Sequence, residues 1–274
     1  MNAASRKRIR DMQRNSRKKQ QRKYAVRRIG ALVIALAAVI LIITAVRGCG
    51  GKAGGPVVTV LPGETVSPVT PKPSIGPVGN VTQSDISQQY FANSCFVGNS
   101  VIEGMEIYEL VDGADYFARI GLNVTDASKL STSTGSVPVI DELNSSKKYS
   151  RIFMMFGENE LNWPSMDVFK NDYASLIKKA KKYQPSAKIY LLSVTPISKT
   201  ADSQQYEGAS KDAIVKLNKH IKAIAEANGA EYVDLFTALG DKNGFLPEGV
   251  AADGIHFDKD YYIKSLVFIQ NNYQ

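Results

Sequence analysis

Cys95-Phe96-Val97-Gly98-Asn99-Ser100-Val101-Ile102-Glu103-Gly104 is the stretch on which the fold turns. Its apolar opening reads as a short buried strand, the run breaks at Gly98, and Ser100 stands where a helix would begin. The glycines on either side of the serine permit a tight turn and close packing. A strand that runs into a helix across so short a turn is the start of a β-α unit, and the rest of the chain can be tested for more of them.

Downstream, short apolar runs alternate with longer amphipathic stretches. Cys95–Val97, Tyr116–Ile120, Arg151–Phe156, Lys188–Val194 and Glu231–Leu235 read as strands. Glu103–Val111, Val137–Asn144, Met166–Tyr183, Lys211–Asn228 and Lys259–Asn271 read as helices. Strands alternating with helices of this length imply a parallel sheet covered on both faces. The expectation is a three-layer α/β/α domain over residues 85–274, flavodoxin-like, with a parallel sheet of about five strands. In such sheets ligands sit outside the carboxyl ends of the strands, where both Ser100 and the segment 157–160 would fall. No internal repeat is visible.

Ahead of that domain the composition changes. Residues 1–47 hold 13 of the 34 lysines and arginines and a single acid, Asp11, a net charge of +12 that leaves −4 on the remainder. The basic balance therefore belongs to the tail and not to the domain. Residues 29–46 form an uncharged apolar run of 18 residues, about 27 Å of helix, close to the thickness of a bilayer core. Twelve basic residues precede it and few follow. The positive-inside rule then predicts a single-pass helix from Ile29 to Val46, residues 1–28 as a basic cytoplasmic tail, and everything after the helix outside the cell. The competing reading is a cleaved signal peptide. It fits less well, because its apolar core is usually shorter and Val46-Arg47-Gly48 is a poor cleavage site. Arg47 likewise sits badly with lipid attachment at Cys49. The basic tail would attract nucleic acid or acidic lipid, but a topogenic role accounts for it, and no nucleic-acid partner is expected.

Residues 47–84 read as a Pro/Gly-rich linker: the segment from Gly48 to Ser84 has six of the eleven prolines and eight of the twenty-one glycines. It would span roughly 35 Å as a coil and about 115 Å if polyproline-like, a reach that suits a substrate in a cell wall. The two cysteines, Cys49 and Cys95, do not make a disulfide framework.

Four segments carry chemistry. A serine hydroxyl is a weak nucleophile at neutral pH and needs a base within hydrogen-bond reach and donors aimed at the oxyanion. Ser100, at the strand-to-helix junction, offers its own N–H as one donor; the plainer reading is an N-cap. His256 is one of only two histidines. In Asp253-Gly254-Ile255-His256 an aspartate lies three positions before it across a glycine, so one turn can bring both side chains together and fix the imidazole tautomer. The other histidine, His220, lies on a helix whose apolar face is Ile214, Leu217, Ile221 and Ile224, and reads as a boundary residue. Phe156-Gly157-Glu158-Asn159-Glu160 follows the apolar Ile152–Met155 run, and the Asn159 amide can donate to an oxyanion without competing as a base. A turn residue is the equal alternative. Arg119-Ile120-Gly121-Leu122-Asn123 offers the Gly121 N–H and is the weakest signal. Cys95 as a thiol nucleophile is set aside because it falls inside the first strand. A metal held by Asp253, Asp258 and Asp260 is set aside because the run lacks a calcium-loop pattern.

In this order and spacing the four segments resemble the SGNH/GDSL hydrolase family, named for a Ser, a Gly, an Asn and a His in separate blocks. The resemblance covers about residues 90–274, leaves the tail, anchor and linker unexplained, and implies a serine esterase; with the anchor read above, the chain would be a membrane-anchored bacterial member. The resemblance implies that Ser100, His256 and Asp253 are the triad, that Ser100, Gly121 and Asn159 form the oxyanion hole, and that neither cofactor nor metal is needed. Two positions depart from the family. Asn99 stands where the first block usually has aspartate, keeping a similar shape and losing a charge. Glu160 replaces the aspartate that usually follows the asparagine of the third block, which would reshape the pocket. With the topology, the resemblance points to short acyl groups, O-acetyl among them, on cell-envelope glycan such as peptidoglycan in a Gram-positive bacterium. An acyltransferase would use the same triad, and a non-catalytic wall-binding domain would keep the same fold.

Overall fold

The five expected strands form one sheet in the computed structural model, which describes residues 78–205 and 208–274. They are β1 (Ser94–Gly98), β2 (Asp115–Ala118), β3 (Arg151–Met155), β4 (Lys188–Leu192) and β5 (Glu231–Val233). The order is β2-β1-β3-β4-β5 and every pairing is parallel, the flavodoxin-like arrangement with its topological switch between β1 and β3. The α/β layering and strand number agree with the sequence reading. The basic tail, the apolar run Ile29–Val46 and most of the 47–84 segment lie outside the described residues. Among the described residues no helix is long and apolar enough to cross a membrane.

Seven α-helices are described: α1 (Gln88–Phe91), α2 (Ser100–Ile107), α3 (Met166–Tyr183), α4 (Lys199–Gln204), α5 (Lys211–Ala227), α6 (Leu235–Leu239) and α7 (Lys259–Asn272). The central strands are buried on both faces, and alternate residues feed two cores because successive side chains point to opposite sides. Cys95, Val97, Ile152, Met154, Ile189 and Leu191 join the core under α3 and α5. Phe96, Phe153, Met155, Tyr190 and Leu192 join the core under α2, α6 and α7. Phe96, Phe153 and Tyr190 stack across β1, β3 and β4 with centroids 4.9 and 5.0 Å apart. α3 buries Phe169, Tyr173, Leu176, Ile177 and Ala180, a helical stripe. On α5 the same stripe holds a buried asparagine: Asn218 accepts from the Val194 N–H at 2.8 Å and donates to its carbonyl at 2.9 Å. It thereby satisfies the backbone where β4 leaves the sheet.

The differences from expectation fall at element ends. Val137–Asn144, expected as a helix, is a five-residue 3₁₀ turn, Val139–Leu143, entered through Pro138. Leu235, expected at the end of a strand, opens α6 because Asp234 accepts the Thr237 N–H at 3.0 Å and caps a helix there. The short helices α1, α4 and α6 span too few residues to show a period. Before Asp85 the chain is already tied to the domain: the Val78 N–H donates to the Ala238 carbonyl at 3.2 Å, and Val78 and Val81 pack on the second core.

Candidate active site

The carboxyl ends of β1 and β3 are held together so closely that a side chain at position 98 has no room. A Cβ on Gly98 would lie 2.5 Å from the Met155 carbonyl oxygen and 2.9 Å from Ile102 Cγ1. Two residues on, α2 begins at Ser100, and Asn99 is its N-cap, with Oδ1 accepting the Val101 N–H at 3.1 Å. The serine is therefore the first residue of the helix and not its cap, so the plainer reading of Ser100 belongs to its neighbour.

His256 arrives from the other end of the sequence in a loop closed on itself by an antiparallel bridge between Ala251 and Phe257. Gly254 takes φ of +76° there, and a Cβ would meet Ser198 Oγ at 2.5 Å. Its carbonyl accepts the Ser198 N–H at 2.8 Å, which fastens the loop to the segment after β4. Asp258 turns away to cap α7 through the N–H groups of Asp260 and Tyr261. Among the described residues no three His, Cys, Asp or Glu groups are gathered to hold a metal ion.

These placements bring Ser100, His256 and Asp253 into one chain of hydrogen bonds. Ser100 Oγ lies 2.8 Å from His256 Nε2, and His256 Nδ1 lies 2.7 Å from Asp253 Oδ2. The other carboxylate oxygen, Oδ1, accepts the backbone N–H groups of Ile255 at 3.0 Å and His256 at 2.8 Å. Burial acts to raise the Asp253 carboxyl, but the hydrogen bonds from the His256 ring and backbone, the His256 charge and the Ile255 N–H outweigh it and hold the group well below the usual carboxylate range. Asp253 thus remains an acceptor with fixed orientation, and the imidazole presents Nε2 to the serine.

The third block is a 3₁₀ turn, Glu158–Glu160, entered through Gly157 at φ +131°. Asn159 Nδ2 donates to the Leu122 carbonyl at 2.9 Å. The amide nitrogen carries two hydrogens and this bond uses one. Gly121 sits in the turn closed by the Leu122 N–H on the Arg119 carbonyl at 3.2 Å; its φ of +73° is what requires glycine, since a Cβ there would meet nothing. The Arg119 N–H in turn donates to the Gly98 carbonyl at 3.2 Å. The segments that carry Ser100, Gly121 and Asn159 are therefore bonded to one another.

Glu160, whose extra methylene was expected to reshape the pocket, acts from within the core. It is fully buried, with one carboxylate oxygen accepting the Val124 N–H at 2.8 Å and the other the Gly157 N–H at 3.0 Å, a brace between the second and third blocks. Burial, and less so the neighbouring Glu158 charge, pushes its carboxyl up to about 7 against the opposing backbone hydrogen bonds. The residue that does approach the site is Glu158. Its Oε1 lies 4.0 Å from His256 Nε2 and its Oε2 is 3.4 Å from Asn99 Nδ2. Sequence reasoning passed over it; the signal lay in Asn99, whose amide donates where the expected aspartate could only accept. Cys95 is fully buried in β1, and burial, with the Asp115 charge adding to it, pushes the thiol well above its ordinary value. It is no nucleophile.

The model of the GDSL-like Lipase/Acylhydrolase family matches residues 96–262. The chain belongs to that family. It is accordingly a carboxylic ester hydrolase. A solved structure from Streptococcus pneumonia that bears the name platelet activating factor is similar at 21% identity and TM-score 0.53, covering 69% of this chain and 91% of that one. A GDSL-like lipase from Bacteroides thetaiotaomicron is similar at 18% identity and TM-score 0.50, covering 69% and 92%. At these identities the likeness establishes the fold of this acylhydrolase. No curated protein matches it in sequence.

Proposed function

We propose that this acylhydrolase is an extracytoplasmic serine esterase that removes short acyl groups through Ser100, His256 and Asp253. His256 Nε2 takes the hydroxyl proton as Ser100 Oγ attacks the acyl carbonyl carbon. Asp253 stabilises the imidazolium that forms. The Ser100 N–H, the Gly121 N–H and the Asn159 amide hold the oxyanion. Collapse of the tetrahedral intermediate expels the alcohol, which receives the proton from His256. A water, deprotonated by the same imidazole, then attacks the acyl-serine, and the imidazolium returns that proton to Ser100 Oγ as the acid leaves. No cofactor enters the cycle.

The observation that carries the reading is the continuous hydrogen-bond chain from Ser100 through His256 to Asp253 at 2.8 and 2.7 Å, assembled from two segments more than 150 residues apart. The membrane anchor at Ile29–Val46, the placement of the domain outside the cell, and an O-acyl group on the envelope glycan of a Gram-positive bacterium rest on the charge division and the Pro/Gly-rich linker. The test is hydrolysis of p-nitrophenyl acetate by the full-length protein beside Ser100→Ala and His256→Ala. Both variants are expected to lose activity by at least about 10³-fold. An inert wild type, or a Ser100→Ala protein as active as wild type, overturns the proposal. Acetate release from isolated cell-wall material then reports on the alcohol.

A further inference from the structure

A carboxylate on the far side of the base from Asp253 has no part in the cycle as written. Glu158 has only 14% of its side chain exposed, and Oε1 stands 4.0 Å from His256 Nε2, the nitrogen that carries the proton during turnover. Ser100 already engages Nε2 at 2.8 Å, so Glu158 meets the imidazole through its charge and not through a bond. Its other oxygen is held by Asn99 Nδ2 at 3.4 Å, and Asn99 is itself fully buried and fixed by the Val101 N–H. An aspartate at position 99 would present an acceptor to an acceptor and set two carboxylates against each other. The asparagine and Glu158 therefore form one arrangement: the charge missing from position 99 stands at position 158, beside the base.

We infer that Glu158 is a positioning carboxylate on the Nε2 side of His256, held there by Asn99, and that it sets the pH above which the base is active. The inference rests on the esterase reading of Ser100 and His256. Among the described residues, the imidazole is faced by Ser100 from α2, Asp253 from its own loop and Glu158 from the turn after β3. Glu160, behind that turn, spends its oxygens on Val124 and Gly157, and Asp258 is turned into the start of α7. A negative charge at this distance favours the imidazolium, so the acid limb of the pH–rate profile lies higher than Asp253 alone would place it. A pair in part exposed to water interacts more weakly than a dry one, and the expected contribution is about one pH unit, a tenfold change in the protonation constant.

The test compares kcat/KM from pH 5 to 9 for the full-length wild type, Glu158→Gln, Glu158→Asp and Glu158→Ala, with p-nitrophenyl acetate as the probe. Both neutral variants are expected to move the acid limb down by about one pH unit, while the aspartate variant stays near wild type. A merely structural role would lower the rate at every pH and leave the limb in place. The chain has only two histidines, so ¹⁵N-histidine NMR follows His256 directly with His220 as the internal control. The His256 titration midpoint is expected to fall by about the same unit in Glu158→Gln, whether or not the ester is turned over. A limb and a midpoint that overlay wild type to within about 0.3 unit in both neutral variants, or that move upward, overturn the inference. Failure of the esterase reading shows separately, as an active Ser100→Ala protein.

Discussion

Replacing Glu160 by glutamine probes the brace that holds the second and third blocks together. In the folded protein the group is pushed from the ordinary 4.5 to about 7, because burial disfavours its charge more than the Val124 and Gly157 N–H groups favour it. The folded pKa is raised, so the stability this group contributes is fully present below about pH 4.5 and is lost as pH rises through about 7. A shift of this size corresponds to a loss of about 3 kcal/mol across that window. Glutamine cannot ionise, and that slope disappears. It also offers one acceptor to two backbone donors, so its amide nitrogen faces an N–H at a cost of about 1–3 kcal/mol. At pH 5 the variant is expected to be the less stable protein by that amount. By pH 9 the gap closes or reverses, because only the wild type has had to bury a charge. Urea unfolding at several pH values measures this, and Trp163 is a convenient reporter: it is the only tryptophan, and its backbone N–H donates to the Glu160 carbonyl at 3.0 Å. A wild-type-minus-variant difference that stays constant to about 0.5 kcal/mol from pH 5 to 9, or that grows in favour of wild type with rising pH, refutes the reasoning.

Asn159→Ala is expected to lower kcat by about 10²–10³-fold with little change in KM, the signature of a donor that acts in the transition state; steady-state kinetics on p-nitrophenyl acetate decide it, and an unchanged kcat removes Asn159 from the oxyanion hole. Gly98→Ala forces a Cβ against the Met155 carbonyl and Ile102. Backbone lies on one side of the clash, so a loss of about 1–3 kcal/mol is expected, read as a lower thermal midpoint.

Much of the fold was legible because burial on two faces leaves a plain trace. The runs around Phe96, Phe153 and Tyr190 are apolar without alternation, as strands covered by helices on both sides must be. α3 and α5 are long enough to show a period, and their expected bounds agree with the structure to within a residue. Shorter pieces gave no such trace. The 3₁₀ turn at Val139–Leu143 and the helix at Leu235–Leu239 are each about one turn long, and their ends are set by Pro138 and by the cap from Asp234 rather than by periodicity.

At the site the division is similar. Asp253 and His256 are three residues apart, so a single loop brings them together and their pairing could be read locally. Ser100 could be placed at a strand end, but not at 2.8 Å from His256. Glu160, read as a change that would reshape the pocket, is a buried brace, and Glu158, two positions before it in the same turn, was given no role although it faces the base. Successive residues of a 3₁₀ turn point in different directions, and which of them meets the interior depends on how β1, β3 and the 121–124 loop pack around it.

The sequence by itself determined the α/β class, the strand-to-helix junction at Ser100 and the local Asp253–His256 pair, because hydrophobic period, turn residues and short spacings act over a few neighbouring positions. Only the tertiary structure decided that Asn99 caps α2 and holds Glu158, that Glu160 ties Val124 to Gly157, and that a second carboxylate stands 4.0 Å from Nε2. The contacts of Glu158 with Asn99 and His256 and of Glu160 with Val124 join segments far apart in the chain, set by the parallel β1–β3 pairing at the switch point, and charge acts through the distances that this packing creates.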